Sequence, residues 1–419
     1  MEWKETKLSE VTLKIASGST PRGGKESYKE SGITLIRSMN IYDFNIKYKD
    51  LAFIDETQAK KLSNVIIEKN DILLNITGAS VGRCAMVPTH LLPARINQHV
   101  MIIRIDKQYA DASFILYMIN APQYKLSLMS LAETGATREA LTKDDISNFK
   151  IKLPPLKTQQ KIASMLSNYD KLIENNTQRI KLLESMAEEM YKEWFVRLRF
   201  PGYEDVEVVN GLPVGWERNT LNNICEITSS KRIFLSDYTS EGIPFYRGKE
   251  ITLKSKNELV GSELFISDDK FHAIDKSFGS PSIDDILITA VGTLGSIYLV
   301  KKSDGNFYFK DGNLIWLKKF KNDFSLYIYY FCKSAEFQHF VDGFAIGSSQ
   351  KALTIDALKK CTVLYPNINI VNKFNITTKL MLDEIEILNL KNDELKQTRD
   401  LLLPRLMSGK LNVEDLDII

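Results

Sequence analysis

Cysteine and histidine are scarce, four of each in 419 residues. Cys84, Cys225, Cys332 and Cys361 stand far apart with no CxxC, which excludes a disulfide scaffold and a zinc ribbon. His90, His99, His272 and His339 show no metal-ligand spacing, and His99 reads as a strand-end residue rather than a base. Long apolar runs are also missing: none approaches the ~18 residues of a membrane span, and Leu326 to Cys332 reads as a buried strand or helix piece. Glu2, Lys4, Glu5 and Lys7 leave no apolar signal core at the start, so the expected compartment is the cytosol. Excess charge is absent too, with a net +2 overall. Residues 1–150 hold 20 Lys+Arg against 17 Asp+Glu, and residues 201–366 hold 19 against 21. Any nucleic-acid surface is therefore a local patch, or is shared with a partner subunit.

Catalytic patterns are missing as well. Gly24-Lys25, Gly248-Lys249 and Gly409-Lys410 lack the earlier glycine and the following Ser or Thr of a phosphate-binding loop. No Gly-x-Gly-x-x-Gly follows a strand. An amino-methyltransferase would hold a flipped base with Asn-Pro-Pro-aromatic, and Leu153-Pro154-Pro155-Leu156 lacks the polar first residue. Glu394-Leu395-Lys396 resembles half a nuclease motif but falls on a helix face, where solvated charge is the plainer reading.

What the sequence does contain is a duplication. Trp3, Leu8 and Val11 recur as Trp216, Leu221 and Ile224. Asp71-Ile72-Leu73-Leu74 followed by Gly78 recurs as Asp285-Ile286-Leu287-Ile288 followed by Gly292. Gly135 to Thr142 recurs as Gly347 to Thr354, and Pro154 as Pro366. The offsets stay between 212 and 214, and two such periods span almost the whole chain. In each copy, short apolar runs bounded by Gly, Asn and Asp (70–87 and 284–300) predict strands. Thr142 and Thr354 then cap a short helical turn with Asp144 or Asp356 near its positive end. A last strand (149–153; 361–365) ends at a proline, and a long helix follows.

The first helix carries Ile162, Leu166, Tyr169, Ile173, Asn176, Ile180, Leu183, Ala187, Met190 and Trp194 at alternating spacings of four and three. The second carries Phe374, Thr378, Met381, Ile385, Leu388, Asn392, Leu395, Arg399, Leu402 and Leu406 in the same rhythm. A 3.5-residue period held this long argues for a coiled coil. Arg399 on the seam and Pro404 behind it predict that the second helix frays or stops there. In an antiparallel pair with its axis at position 178, Asn176 faces Asn392 as a register-fixing pair, Ile162 lies near Leu406, and Trp194 near Phe374. The expected fold class is α+β: two similar mixed α/β modules separated and joined by two long helices in an antiparallel coiled coil. The expected boundaries are 1–155 for the first module and 156–200 for the central helix. Residues 201–366 form the return linker and second module, and 367–419 the C-terminal helix and tail. Two modules on a rod about 48 Å long, at ~1.5 Å per residue, with no reaction centre, describe a recognition protein for two short sites on one duplex.

Particular segments carry a family resemblance. They are Tyr191-Lys192-Glu193-Trp194-Phe195-Val196 with Arg199-Phe200-Pro201-Gly202, then Gly211-Leu212-Pro213-Val214-Gly215-Trp216. Arg399 to Leu411, Gly18-Ser19-Thr20-Pro21, and Leu153-Pro154-Pro155-Leu156 with Gln159 and Ile162 complete the set. Together they resemble the specificity subunits of type I restriction-modification systems across the whole chain. Tyr365-Pro366-Asn367-Ile368, opening the second helix, departs from the pattern by lacking the glutamine. The resemblance implies two target recognition domains reading a bipartite double-stranded DNA target with an unspecified spacer. It implies two modification subunits that methylate adenine with S-adenosylmethionine, and restriction subunits that cleave using ATP and Mg. The chain itself would hold no cofactor or metal and catalyse nothing.

Base edges call for forks or amides, and phosphates for cations or small hydroxyls. In the first module these are Ser19, Thr20, Arg22, Lys25, Arg37, Asn40, Arg95, Gln98, Thr137 and Arg138. In the second they are Lys231, Arg232, Arg247, Lys249, Ser349, Gln350 and Lys351. Thr137-Arg138 and Ser349-Gln350 stand at the same place in the two repeats with different identities, as two modules reading different sequences require. The lysine-rich segment 301–321 reads equally as a phosphate track or a solubilising surface. The alternative function is a protein-only coiled-coil scaffold with two interaction domains.

Overall fold

The structure is a computed structural model. It describes residues 3–133, 139–258, 260–261, 264–344 and 352–413. They form two compact units, 1–175 with 392–419, and 176–391, so each unit takes part of both long helices.

In the first unit a four-stranded antiparallel sheet runs in the order Thr12–Ser17, Val100–Ile105, Ile72–Asn75, Cys84–Met86. Its two central strands are apolar at successive positions because both faces are covered. Ile72, Leu74, Met101 and Ile103 face one core, while Leu73, Val100 and Ile102 face another. A second sheet of Ala52–Ile54, Ile33–Ile36 and Ala94–Ile96, the last two parallel, lies over that other core. Lys4–Lys7 pairs with Lys150–Leu153 and closes the module on itself.

The second unit repeats the plan. Glu226–Thr228, Leu314–Lys318, Ile286–Thr289 and Ile297–Leu299 stand in the same order. Ile286 pairs with Leu317 as Ile72 pairs with Ile103, each shifted by 214. The faces divide as before, with Ile286 and Ile288 in one core and Leu287 in the other. Thr142 and Thr354 both cap their short helices, accepting from the N–H of Asp145 and Ala357. Leu326 to Cys332 lies in the buried helix Ser325–Lys333.

The long helices are Leu156–Tyr191 and Ile368–Met407. All twenty seam positions read from the heptads are buried or half-buried. In the first unit Ile162 and Leu406 share a core, and Asp170 meets Arg399 at 2.5 Å. In the second, Arg179 meets Glu384 at 3.0 Å, and the Trp194 and Phe374 rings lie 6.0 Å apart. The helices therefore run antiparallel within each unit. Asn176 falls in one unit and Asn392, which is buried, in the other. The expected stop at Arg399 and Pro404 is not found. The helix continues to Met407 because Asp170 neutralises the seam arginine and Leu403, Leu406 and Met407 anchor the last turn in the core.

The family-like segments have structural reasons. Gln159 is buried, its Oε1 accepting from the Asp111 N–H at 3.0 Å and its Nε2 donating to the Pro154 carbonyl at 2.9 Å. At the repeat position in the second helix stands Val371, also buried, and no amide is needed. The stretch Lys192 to Gly215, which its Pro201-Gly202 and Gly211-Leu212-Pro213 turns mark as a return linker, is more than that. Phe195 and Phe200 are buried and pack on Trp216, with ring centroids 6.0 and 4.8 Å apart.

Candidate nucleic-acid interface

Each module exposes one edge where several loops converge, and the same backbone bonds build both. In the first, the Ile76 N–H donates to the His99 carbonyl at 3.0 Å, and Leu141 N–H to the Ile76 carbonyl at 2.9 Å. In the second, Ala290 donates to Asn313 at 2.8 Å and Leu353 to Ala290 at 2.9 Å. Isolated bridges join Thr77 to Ala140 and Val291 to Ala352. The Asn97 N–H reaches the Ile36 carbonyl at 3.2 Å, as Lys310 reaches Tyr246 at 2.9 Å. Thus the turn after the parallel strand and the glycine turns at 78 and 292 meet beside Ala140 and Ala352.

On the first edge lie Ser19, Thr20, Arg37 and Gln98. The Ser19 N–H is pinned to the Ile96 carbonyl at 3.1 Å. Gln98 is exposed and its amide approaches His99 Nε2 at 3.3 Å, while His99 Nδ1 lies 2.7 Å from Thr77 Oγ1. Arg37 bonds the Asp50 carbonyl and sits over the Tyr28 ring at 5.4 Å. Of six buried side-chain polar atoms without a partner among the described residues, four belong to this region: Thr20 Oγ1, Arg37 Nε, Asn75 Oδ1 and Asn97 Oδ1. Folded proteins rarely leave such atoms unpaired, so each is open to a water or another polar partner. Arg22 is exposed in the same loop, and Lys25 lies in the turn Gly24–Ser27.

Two expected contacts are not brought to this edge. Arg95 is buried, donating to the carbonyls of Ala94 at 2.9 Å and Ala59 at 3.3 Å, and burial pulls its pKa below the ordinary value. Asn40 is fully buried: its Oδ1 accepts from the Arg37 N–H, and its Nδ2 donates to the Lys47 and Lys49 carbonyls. Both side chains hold the scaffold. Thr137, Arg138, Ser349, Gln350 and Lys351 lie outside the described residues.

On the second edge Ser229 and Ser230 hydroxyls donate to the Leu314 and Phe309 carbonyls at 2.8 and 2.7 Å. Lys231 N–H donates to the Tyr308 hydroxyl at 2.9 Å, and the Lys231 ammonium lies 4.2 Å from the Phe278 ring centre. Arg232 meets Asp311 at 3.1 Å. Arg247 forks onto Glu250, with Nη2 at 2.8 Å and Nε at 3.2 Å, yet a third of its side chain stays exposed. Lys249 is exposed beside it. The lysine-rich segment 301–321 is no single track: Lys301 is half-buried, and Lys318 is buried with its ammonium 3.8 Å from the Trp316 ring centre.

Sequence reading missed Thr77, Asn75, Asn97, Asp311 and Glu250. The repeat signal could have found some of them. Asn75 and Thr289 end equivalent strands, and Arg37–Asn40 and Arg247–Glu250 are the same three-residue cap with a changed acceptor.

Among the described residues no group of three or more His, Cys, Asp or Glu side chains could hold a metal, and no helix is long and apolar enough to cross a membrane. The four cysteines are buried, and desolvation pushes the Cys84, Cys225 and Cys361 thiols up to about 12.

Two mixed α/β modules built alike, each ending in a polar edge, define the fold, and comparison with known proteins gives the family. Residues 1–185 and again 213–397 match the type I restriction modification DNA specificity domain, so the chain belongs to the type I restriction-modification DNA specificity family. The type I restriction enzyme MjaIX specificity subunit of Methanocaldococcus jannaschii is 26% identical, with 99% of this chain and 95% of that one covered. The type I restriction enzyme HindI specificity subunit of Haemophilus influenzae is 20% identical, over 98% of this chain and all of that one. The S subunit of a type I restriction-modification system from M. genitalium has the same fold, with a TM-score of 0.59 at 16% identity and 96% of each chain covered.

Proposed function

We propose that the chain reads a bipartite double-stranded DNA target, one half-site per module, with an unspecified spacer between them. It positions two adenine-modifying subunits and the restriction subunits, and the chemistry resides in those partners. S-adenosylmethionine, ATP and Mg would bind there and not on this chain, which acts in the cytoplasm. The observation that carries this reading is the pair of equivalent edges: matching backbone bonds hold Asn97 in one module and Lys310 in the other, with Thr20 on the first edge and Arg232 paired to Asp311 on the second. One scaffold with two sets of polar tips is what reading two different sequences requires.

The test is an exchange of residues 1–150 for the first module of another family member, with adenine methylation then mapped across the host genome. Only one half of the methylated motif should change. A change in both halves, or a motif that does not respond, overturns the two-module reading. A chain that assembles with its partners but gives no gel shift with any duplex favours the protein-only scaffold.

A further inference from the structure

The second module exposes apolar side chains where its DNA-reading edge begins. Ile233 is buried and anchors the loop among Phe245, Ile266 and Phe271. The next two residues turn the other way, with Phe234 60% and Leu235 85% exposed. The loop is not loose. Ser229, Ser230 and Lys231 are bonded as described, and the Phe234 N–H donates to Asp237 at 2.9 Å, itself held by Lys270 at 3.1 Å. Single exposed apolar residues are ordinary on a surface. Two in succession, on a loop pinned at both ends and preceded by Lys231 and Arg232, are different. A third exposed apolar side chain, the Phe278 ring, lies under the Lys231 ammonium.

The first module has no counterpart. Gly32 and Gly242 mark the same place in the two copies, since a side-chain carbon at either would stand 2.5 Å from the carbonyl oxygen of Ile54 or Ile266. Counting back from them, Tyr28 matches Tyr238, and Phe234-Leu235 fall on Gly24-Lys25. Whatever the apolar pair does, it does for one half-site only.

We propose that Phe234 and Leu235 form an apolar wedge that enters the stacked bases of the second half-site, unstacking one step. Cations leading into an apolar tip suit a polyanion whose interior is apolar: Lys231 and Arg232 meet phosphates while the tip displaces water from a base step. Recognition of the second half-site then includes how readily that step opens, a sequence preference without a hydrogen bond to a base edge. The proposal rests on the DNA reading above and deepens it.

The test uses the full chain with its modification subunits on a duplex carrying the methylation-mapped target, with 2-aminopurine placed at successive positions. Base flipping by the modification subunits raises fluorescence at the methylated adenine of each half-site; beyond those positions, binding should raise it at one further step in or beside the second half-site and at none in the first. The double variant Phe234→Ser/Leu235→Ser, at exposed positions, should lose that rise, with specific affinity falling roughly tenfold. Specific binding with no rise beyond the flipped adenines overturns the wedge and leaves the DNA reading standing. A variant that keeps the rise but weakens assembly overturns it in favour of a protein contact. Absence of specific binding by the parent complex overturns both.

Discussion

Arg399 Nη1 stands 2.5 Å from Asp170 Oδ1, so the one arginine on the second heptad seam is matched by an acid on the first helix. The guanidinium lies 4.5 Å from the Phe44 ring centre, and the Tyr117 hydroxyl donates to the other Asp170 oxygen. The pair thus ties both helices to the first module. Arg399 is 11% exposed in its side chain and Asp170 30%, so removing one partner strands a charge only partly reached by water. Arg399→Met should destabilise the first unit by about 2–4 kcal/mol, less than for a fully buried pair. Asp170→Leu with Arg399→Met should recover most of the loss, and urea unfolding of the four chains of the cycle checks both. Additive effects would mean that the pair does not couple.

A second tie joins residues 406 positions apart in sequence. Gly409 follows the second long helix at φ +71°, and a side-chain carbon there would stand 3.2 Å from the Trp3 indole nitrogen. Left-handed backbone and close indole packing each favour glycine, so Gly409→Ala should lower stability by about 1–2 kcal/mol. A Tm unchanged from the parent would show that Trp3 moves aside freely.

These two ties show how far the sequence could be read. The heptads identify Arg399 as a seam residue, and taken alone that reads as a helix end. Only the opposite strand of the coil, 229 positions away, supplies Asp170. The strands were legible because runs such as 72–74 and 286–288 are apolar at every position, and the repeat offset fixed which runs correspond. Arg95 misled for the converse reason: a cation in a four-residue apolar run looks like a surface contact, and its partners Ala94 and Ala59 are backbone carbonyls with no sequence signature. Asn75 and Asn97 could not be picked out, since what marks them is an unpaired buried oxygen.

Asp71 and Asp285 are repeat equivalents with opposite surroundings. Asp71 receives a two-pronged bond from Arg104, both prongs at 2.8 Å. Among the described residues Asp285 takes its hydrogen bonds from neutral donors, Trp316 Nε1 at 2.8 Å and the Ser282 N–H at 2.9 Å, and burial outweighs the nearby Lys318 charge to raise its pKa above the usual carboxylate range. The folded state therefore holds this proton more tightly than the unfolded chain. Stability falls as pH rises from the ordinary carboxylate pKa through the raised one, and the full loss is present at neutral pH. Asp285→Asn keeps an acceptor oxygen for both donors and removes the buried charge. It should raise Tm at pH 7, with the gain shrinking as pH falls and vanishing once the aspartate is protonated in both states. Scans of parent and variant from pH 7 to acid check this. A gain independent of pH would point to packing instead of charge.

Arg37 and Arg247 make the sharpest functional comparison, because each begins the same cap and differs in what holds it. Asn40 takes only the Arg37 backbone N–H, whereas Glu250, 5% exposed in its side chain, takes both the N–H and the fork of Arg247. A fork already aimed by a carboxylate loses little freedom on meeting guanine, whose two acceptors match its geometry. Arg247→Ala should cost about 1–3 kcal/mol of specific binding and relax one base pair of the second half-site. Arg37→Ala should act on the first half-site alone. Gel shifts of the assembled complex on single-base variants of the target, repeated across salt, read both effects. A uniform loss over all sequences, with the salt slope reduced by about one, would make Arg247 a phosphate contact. Glu250→Gln separates the cases further: it keeps an acceptor for the cap and weakens the hold on the fork. A base-reading Arg247 then loses specificity, while a phosphate-bound one, freed from its carboxylate, binds DNA more tightly.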